Sequence, residues 1–334
     1  MNRLCCLLVL SLCFSPTTTG LGQAYDEVVV RDKPKQSTSA SVKSDPWLSV
    51  TTRVLRGKIE GVNGKELLLV DGSGQPQRVE CAQVQSIAVA WQDPAVLAAL
   101  DLFRQRKYQE SMLAINATLA KVPTWQHPLL VAKIVEAASA AGDQRVAGRL
   151  FLQLAAADPP PIIYADMPLC WTVCDPNQAM LDAAQQWLAA EGDASKLMGA
   201  SWLLFSADSE TARQALLQLQ ASENTTIAKL AVAQSWRIEP PPDTMGQLSQ
   251  WLAFRDSLLE PLQLGPTEFL ADRLMRVGQT DLAIGQWMRI ATHPNKRHHR
   301  AVSSLESAAS MFVQLGKTEE AEKVKLWIKN LDGS

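Results

Sequence analysis

Cys170 and Cys174 lie four positions apart in the most proline-dense part of the chain, Asp158–Gln178 (DPPPIIYADMPLCWTVCDPNQ). At that spacing a thiol pair supports a disulfide where the backbone allows it, or thiol redox chemistry. The same stretch holds Tyr164 and Trp171, rings suited to a protein-contacting loop. Asp166, Asp175 and Glu191 lie in or beside it, and two carboxylates suffice for glycoside cleavage, one as acid and one as base or nucleophile. A dense basic run, Lys296-Arg297-His298-His299-Arg300, offers Lys296, Arg297 and Arg300 to an acidic partner.

The signatures of acyl transfer, zinc hydrolysis and nucleotide binding (G-x-S-x-G, H-E-x-x-H, a glycine-rich phosphate loop, paired CxxC) do not occur. His127, His293, His298 and His299 do not complete a ligand set around the cysteines, so neither metal nor cofactor is expected. The net charge is −2 and the pI about 6.1, which gives no basic field for nucleic acid or an anionic membrane. With 334 residues, 47% hydrophobic and 20% charged, the chain is long enough for two domains or one elongated array. No oligomeric state follows from it.

Arg3, the apolar run Leu4–Phe14 and the small residues up to Ala24 read as a signal peptide over residues 1–24. The run is short for a membrane span, so an exported, periplasmic or extracellular protein without a stable span is expected. Cys81, Cys170 and Cys174 would remain after cleavage. Residues 25–47 are rich in Ser, Lys and Thr and read as a flexible linker. Residues 48–91 switch to strand periodicity, broken by the turn signals Asn63-Gly64 and Asp71-Gly72-Ser73-Gly74.

From Asp93 the pattern is helical, with hairpins over 92–157, the proline-rich loop over 158–178, helices over 179–239 and a final array over 240–334. Glu239-Pro240-Pro241-Pro242 separates the last two blocks. Spacing repeats inside them. With Lys107 as a turn, small Ser111 follows, and Pro123 comes twelve positions after that; Gly142, Ala147 and Pro159 repeat the order, again with twelve between the last two. Gly278 with Ala283, and Gly316 with Ala321, give partial copies.

LFRQRKYQESMLAINATLAKVP, with Tyr108, Ser111, Ile115 and Pro123, resembles a tetratricopeptide repeat, as do Gly142, Ala147, Phe151 and Pro159 one unit later. Residues 179–238 fit the looser helix pairs of HEAT-like repeats equally well. The Gly57-Lys58-Ile59 strand, the NGKELLLVDGSG hairpin and the VQSIAV strand resemble small SH3-like or Sm-like barrels. In the Sm-like case the resemblance implies RNA, which export and near-neutral charge argue against.

The expected fold is therefore mainly α, an α-α superhelix of tetratricopeptide-like type preceded by a small all-β barrel. The expected function is a non-enzymatic, exported protein-binding or scaffold role on a helical-repeat surface, with a protein partner. The alternative is an envelope carboxylate-based hydrolase acting on cell-wall or extracellular sugar.

Overall fold

The computed structural model describes residues 25–32, 51–172, 175–239, 245–293 and 298–333. The expected signal segment and most of the expected linker lie outside the described residues. The fold is mainly helical, with one small antiparallel sheet. Among the described residues no helix is long and apolar enough to cross a membrane.

The sheet comprises β1 (Asp26–Arg31), β2 (Thr52–Val62), β3 (Glu66–Val70), β4 (Pro76–Glu80) and β5 (Val84–Ala88), in the order β4-β3-β2-β1-β5. Two expectations are corrected here. The first residues of the presumed linker form β1, which lies between β2 and β5. Asp26, Val28 and Val30 turn inward on alternate positions, and the buried Asp26 carboxylate accepts from the amides of Ile59 and Ala90, both at 2.7 Å. Nor does the sheet close into a barrel. β4 begins with Pro76, which lacks an amide hydrogen, and buries only Val79, so it has little apolar face to turn toward β5. β2 shifts register between Ile59 and Gly61, and its two halves pair with β1 and β3.

Thirteen α-helices follow among the described residues: α1 (Pro94–Arg104), α2 (Tyr108–Thr118), α3 (His127–Ala140), α4 (Gln144–Ala155), α5 (Gln178–Ala189), α6 (Asp193–Leu203) and α7 (Ser209–Leu219), then α8 (Thr225–Ser235), α9 (Met245–Ser257), α10 (Leu264–Arg276), α11 (Thr280–Thr292), α12 (His298–Gln314) and α13 (Thr318–Gly333). Each is short enough to need its neighbours, and successive helices pack on one another through α1–α4, α5–α8 and α10–α13. Trp187, Trp236, Trp251 and Trp287 are buried in the main core, where Trp236 stacks on Trp251 with ring centroids 5.3 Å apart.

Four hairpins share one turn. In each, a left-handed residue donates its amide to the carbonyl three residues back, and the next residue donates five back, closing the α-helix in a Schellman motif. The left-handed residues are Arg106, Gly142, Gly278 and Gly316, and the second bonds, from Lys107, Asp143, Gln279 and Lys317, span 2.8–3.0 Å. The turn residue of the first hairpin is therefore Arg106 rather than Lys107. In this register a small residue follows five positions later in every copy: Ser111, Ala147, Ala283 and Ala321, all with no exposed area. A larger side chain there would push the paired helices apart.

The first copy differs from the rest at the left-handed position as well as at Ser111. Arg106, at φ 62°, carries a Cβ where the other three have glycine, which costs about 1–2 kcal/mol in the left-handed region. We expect Arg106→Gly to raise the stability seen in urea unfolding by about 1 kcal/mol, and Gly142→Ala to lower it by a similar amount. A destabilised Arg106→Gly variant would show that the two turns are not equivalent.

Candidate functional site

The proline-rich segment sets the surroundings of every large depression. Three residues after α4 ends at Ala155 comes Asp158, itself left-handed at φ 46°; Pro159 and Pro160 then turn the chain inward, and a 3-10 turn over Pro161–Asp166 leads to an extended run through Thr172. This run is not a surface loop. Pro159, Pro160, Ile163, Met167, Pro168, Leu169, Cys170 and Trp171 are all buried. Tyr164 and Trp171, expected to face a partner, are each 6% exposed and belong to the main core. Tyr164 packs edge-on against Phe151 and its hydroxyl accepts from Asn224 Nδ2 at 3.0 Å. The Trp171 indole lies directly on Gly265, where any Cβ would collide with it. Ile162 also packs against the apolar face of the sheet, so the segment forms the seam between sheet and helices.

Burying an irregular backbone requires partners for its polar groups. Three side chains supply them. Ser201 Oγ accepts from the Cys170 amide at 2.9 Å and donates to the Cys170 carbonyl at 3.2 Å, which also accepts from Gln234 Nε2 at 3.1 Å. Arg237, 4% exposed, donates to the Ser201 carbonyl at 2.7 Å, Gln234 Oε1 at 2.8 Å, the Thr172 carbonyl at 3.4 Å and Cys170 Sγ at 3.4 Å. The Cys170 thiol donates to the Thr172 carbonyl at 3.1 Å. Cys174 lies outside the described residues, and with it the expected Cys170–Cys174 bridge.

The basic run divides. Lys296 and Arg297 lie outside the described residues, while Arg300 Nη1 lies 3.5 Å from the Glu268 carboxylate, with both side chains largely covered. Arg300 is thus engaged within the chain instead of being presented to an acidic partner. The acids of the hydrolase reading separate as well. Asp166 borders a depression of about 240 Å³ that Glu268, His299 and Arg300 also line, whereas Asp175 and Glu191 are exposed before and after α5. Among the described residues no group of three or more His, Cys, Asp or Glu could hold a metal ion.

A cleft of about 770 Å³ lies between the β2–β3 hairpin and the α3–α4 pair, within the range of ligand-sized sites. Glu60, Glu66 and Asp158 give it an acidic wall, answered by Arg78, which pairs with Glu66 at 3.4 Å on the exposed rim. Trp125, Val62, Leu68 and Val131 supply apolar floor, and His127 Nε2 donates to the Val122 carbonyl at 3.2 Å at its edge. The arrangement suits a polar chain carrying positive charge with an apolar side chain between. Gly64, at the hairpin tip, lies beside the Asp158 carboxylate, which a Cβ there would displace.

Sequence reasoning placed the Asn63-Gly64 turn but not this cleft, whose lining comes from four separated segments. The signal it left was Asp158, a non-glycine residue just before three prolines.

Cys81 closes the hairpin from inside, its thiol donating to the Asn63 carbonyl at 3.2 Å. Burial, then the charges of Glu66 and Asp158, push it up to about 12. We expect no reaction with a thiol reagent at pH 8 until the protein unfolds. Between the ordinary thiol value of 9.0 and 12 the unfolded chain loses this proton and the folded chain keeps it, so stability falls as pH rises through that window. Cys81→Ala should flatten that fall in a pH series of urea midpoints; rapid labelling of Cys81 itself in the native protein, located by peptide mapping, would contradict the assignment.

Arg237→Met removes donors from two buried carbonyls and from Gln234, and we expect a loss of about 3 kcal/mol or more in chemical unfolding. A cost below 1 kcal/mol, roughly that of an ordinary surface change, would mean that water replaces the guanidinium freely. Comparison of the chain with protein-family models, curated proteins and solved structures finds no match.

Proposed function

We propose that this chain is an exported protein-binding or scaffold protein whose helical hairpins form a tetratricopeptide-like superhelix, and that the cleft beside the sheet receives an extended segment of its partner. The observation that carries the reading is the fourfold recurrence of one hairpin turn, each followed five residues later by a fully buried small side chain. Repeated hairpins of this construction bury their core between neighbours and leave side chains on the outer helices free for recognition. The cleft adds a partner preference: an acidic wall and an apolar floor favour a segment with a basic residue next to an apolar one.

The hydrolase reading draws less support, because only Asp166 of the acids it named borders a depression, and the cleft-wall acids Glu60, Glu66 and Asp158 are all exposed. Glu60 and Glu66 are exposed, so changing them leaves the core intact.

The test is capture of partners from the native envelope with the full chain, followed by the same capture with the double variant Glu60→Lys and Glu66→Lys. We expect one dominant partner whose recovery falls at least about tenfold in the variant, as charge reversal across a close contact costs more than 1.4 kcal/mol. Recovery of the same partner in equal yield would remove the cleft from the interface. Turnover of a cell-wall glycan by the purified chain would displace the binding reading altogether.

A further inference from the structure

The sheet has two edges, and they are finished differently. The outer strand β4 carries Pro76 and the charged Arg78 and Glu80, the usual means of keeping an edge from pairing. β5, with the sequence VQSIA, has neither proline nor charge, and among the described residues it pairs with β1 alone.

Which of its main-chain groups point outward follows from the ladder. The Asp32 amide donates to the Thr51 carbonyl at 2.9 Å, and the β1–β2 register continues without a shift from Arg31 opposite Thr52 to Asp26 opposite Gly57. Bonded pairs alternate in an antiparallel ladder, so Val28 and Val30 turn their main chain to β2, and Glu27 and Val29 turn theirs to β5. Opposite Glu27 and Val29 on β5 stand Ala88 and Ser86. Ile87, between them, therefore points its N–H and C=O away from β1, and Val89 does the same with its N–H. The Val89 carbonyl accepts from the Trp91 amide at 3.0 Å.

That edge borders a trough of about 480 Å³, in the range of ligand sites, along which all of Gln85–Val89 lies. The facing wall is one stripe of α3: Leu129, Ala132, Lys133 and Glu136 follow the i, i+3, i+4, i+7 spacing. Trp91, Leu100 and Ile162 extend the apolar lining. Lys133 and Glu136 bond each other at 2.7 Å, and the ammonium lies 5.3 Å from the centre of the Phe103 ring, so this pair brings no net charge to the wall. Asp166 stands at the margin that the trough shares with the 240 Å³ depression. Gln85 ties the start of β5 to the Glu260 amide, which leaves Ser86–Val89, about 13 Å at the rise of a strand.

We propose that this trough binds an extended, uncharged polypeptide segment with alternate apolar side chains, which adds to β5 as a sixth strand. A donor and an acceptor on one residue, with a further donor two residues on, are spaced as another strand requires, and the apolar wall receives every second side chain. Charge selects the kind of segment, since the strand carries none and the two charges of the helix stripe cancel. The acidic cleft takes His127 and Val131 from another stripe of the same helix, and binding in the trough does not depend on it.

The test uses the isotope-labelled full chain and an end-blocked hexapeptide of alternating threonine and valine, followed by amide shifts and hydrogen exchange. We expect saturable binding in which the Ile87 and Val89 amides gain at least about tenfold protection, while Ser86 and Ala88, directed at β1, keep their rates. The same peptide with every amide nitrogen methylated keeps its side chains but cannot donate, and should bind at least about tenfold more weakly. Ile87→Pro removes the outward donor at an edge, where proline is tolerated, and should weaken the hexapeptide to a similar degree; if that variant fails to fold, the methylated peptide decides. The Glu60→Lys and Glu66→Lys double variant should bind the hexapeptide as the original chain does, even where it loses a partner captured at the cleft. No saturable binding, equal binding of the methylated peptide, or new protection at Ser86 and Ala88 in place of Ile87 and Val89 would overturn the proposal. Shifts centred on Leu68 and Val131, with binding lost in the double variant, would place the peptide in the cleft and overturn it as well.

Discussion

Everything central to this molecule depends on the hydrogen bonds that let an irregular, proline-rich segment lie inside it. Residues between Asp158 and Thr172 have only one short 3-10 turn, Pro161–Asp166, as regular pairing of their own, yet most of them are buried. Ser201 on α6 and Gln234 and Arg237 at the end of α8 meet the Cys170 and Thr172 main chain. An unmet carbonyl in that position costs about 1–3 kcal/mol, so the polar fan is a condition for burial and not an addition to it. With the segment in place, its outer side seats the sheet through Ile162 and its inner side seats Trp171 on Gly265. Gln85 on β5 makes the companion link, its side-chain oxygen accepting from the Glu260 amide at 2.7 Å.

This constraint also connects the two concavities. Asp158, just after α4, walls the large cleft; Trp171 and Thr172, where the segment emerges, line a depression of about 90 Å³. Arg237 holds the buried backbone with its hydrogen bonds to the Ser201 and Thr172 carbonyls. The helical hairpins on either side supply rigidity: four turns of one geometry, each with a small residue at the same offset, fix how closely successive helices approach. A second buried arginine, Arg255, makes a similar pin among α9 and α11, bonded to Asp256 at 2.9 Å and to Gln286.

Much of the helical body was legible because the signals are local. Short amphipathic runs ended by Gly142, Gly278 or Gly316 announce their own turns, and the structure adds only that Arg106, without a glycine to mark it, occupies the same position. Asp26–Arg31 was less legible: VVV alternates over too few residues, and what makes it a strand is Asp26 reaching the amides of Ile59 and Ala90, far along the chain. Barrel closure failed for a reason readable only in pairing, since Pro76 and one buried residue leave β4 nothing to offer β5. Tyr164 and Trp171 were misread because prolines next to aromatic rings look the same in a surface loop and in a buried one. The difference lies in Ser201, Gln234 and Arg237, about thirty or more positions away in the chain, and no local rule ties them to that loop. Both concavities are invisible for the same reason, being assembled from distant segments.

The most direct measurement is native-state hydrogen exchange of the main-chain amides over residues 167–172, read against amides in the middle of α6 and α8. If the polar fan holds this segment as part of the core, the Cys170 amide exchanges only through global unfolding, with the same denaturant dependence as the helix amides. Exchange of Cys170 at the rate of an exposed loop, while α6 and α8 stay protected, would contradict the account.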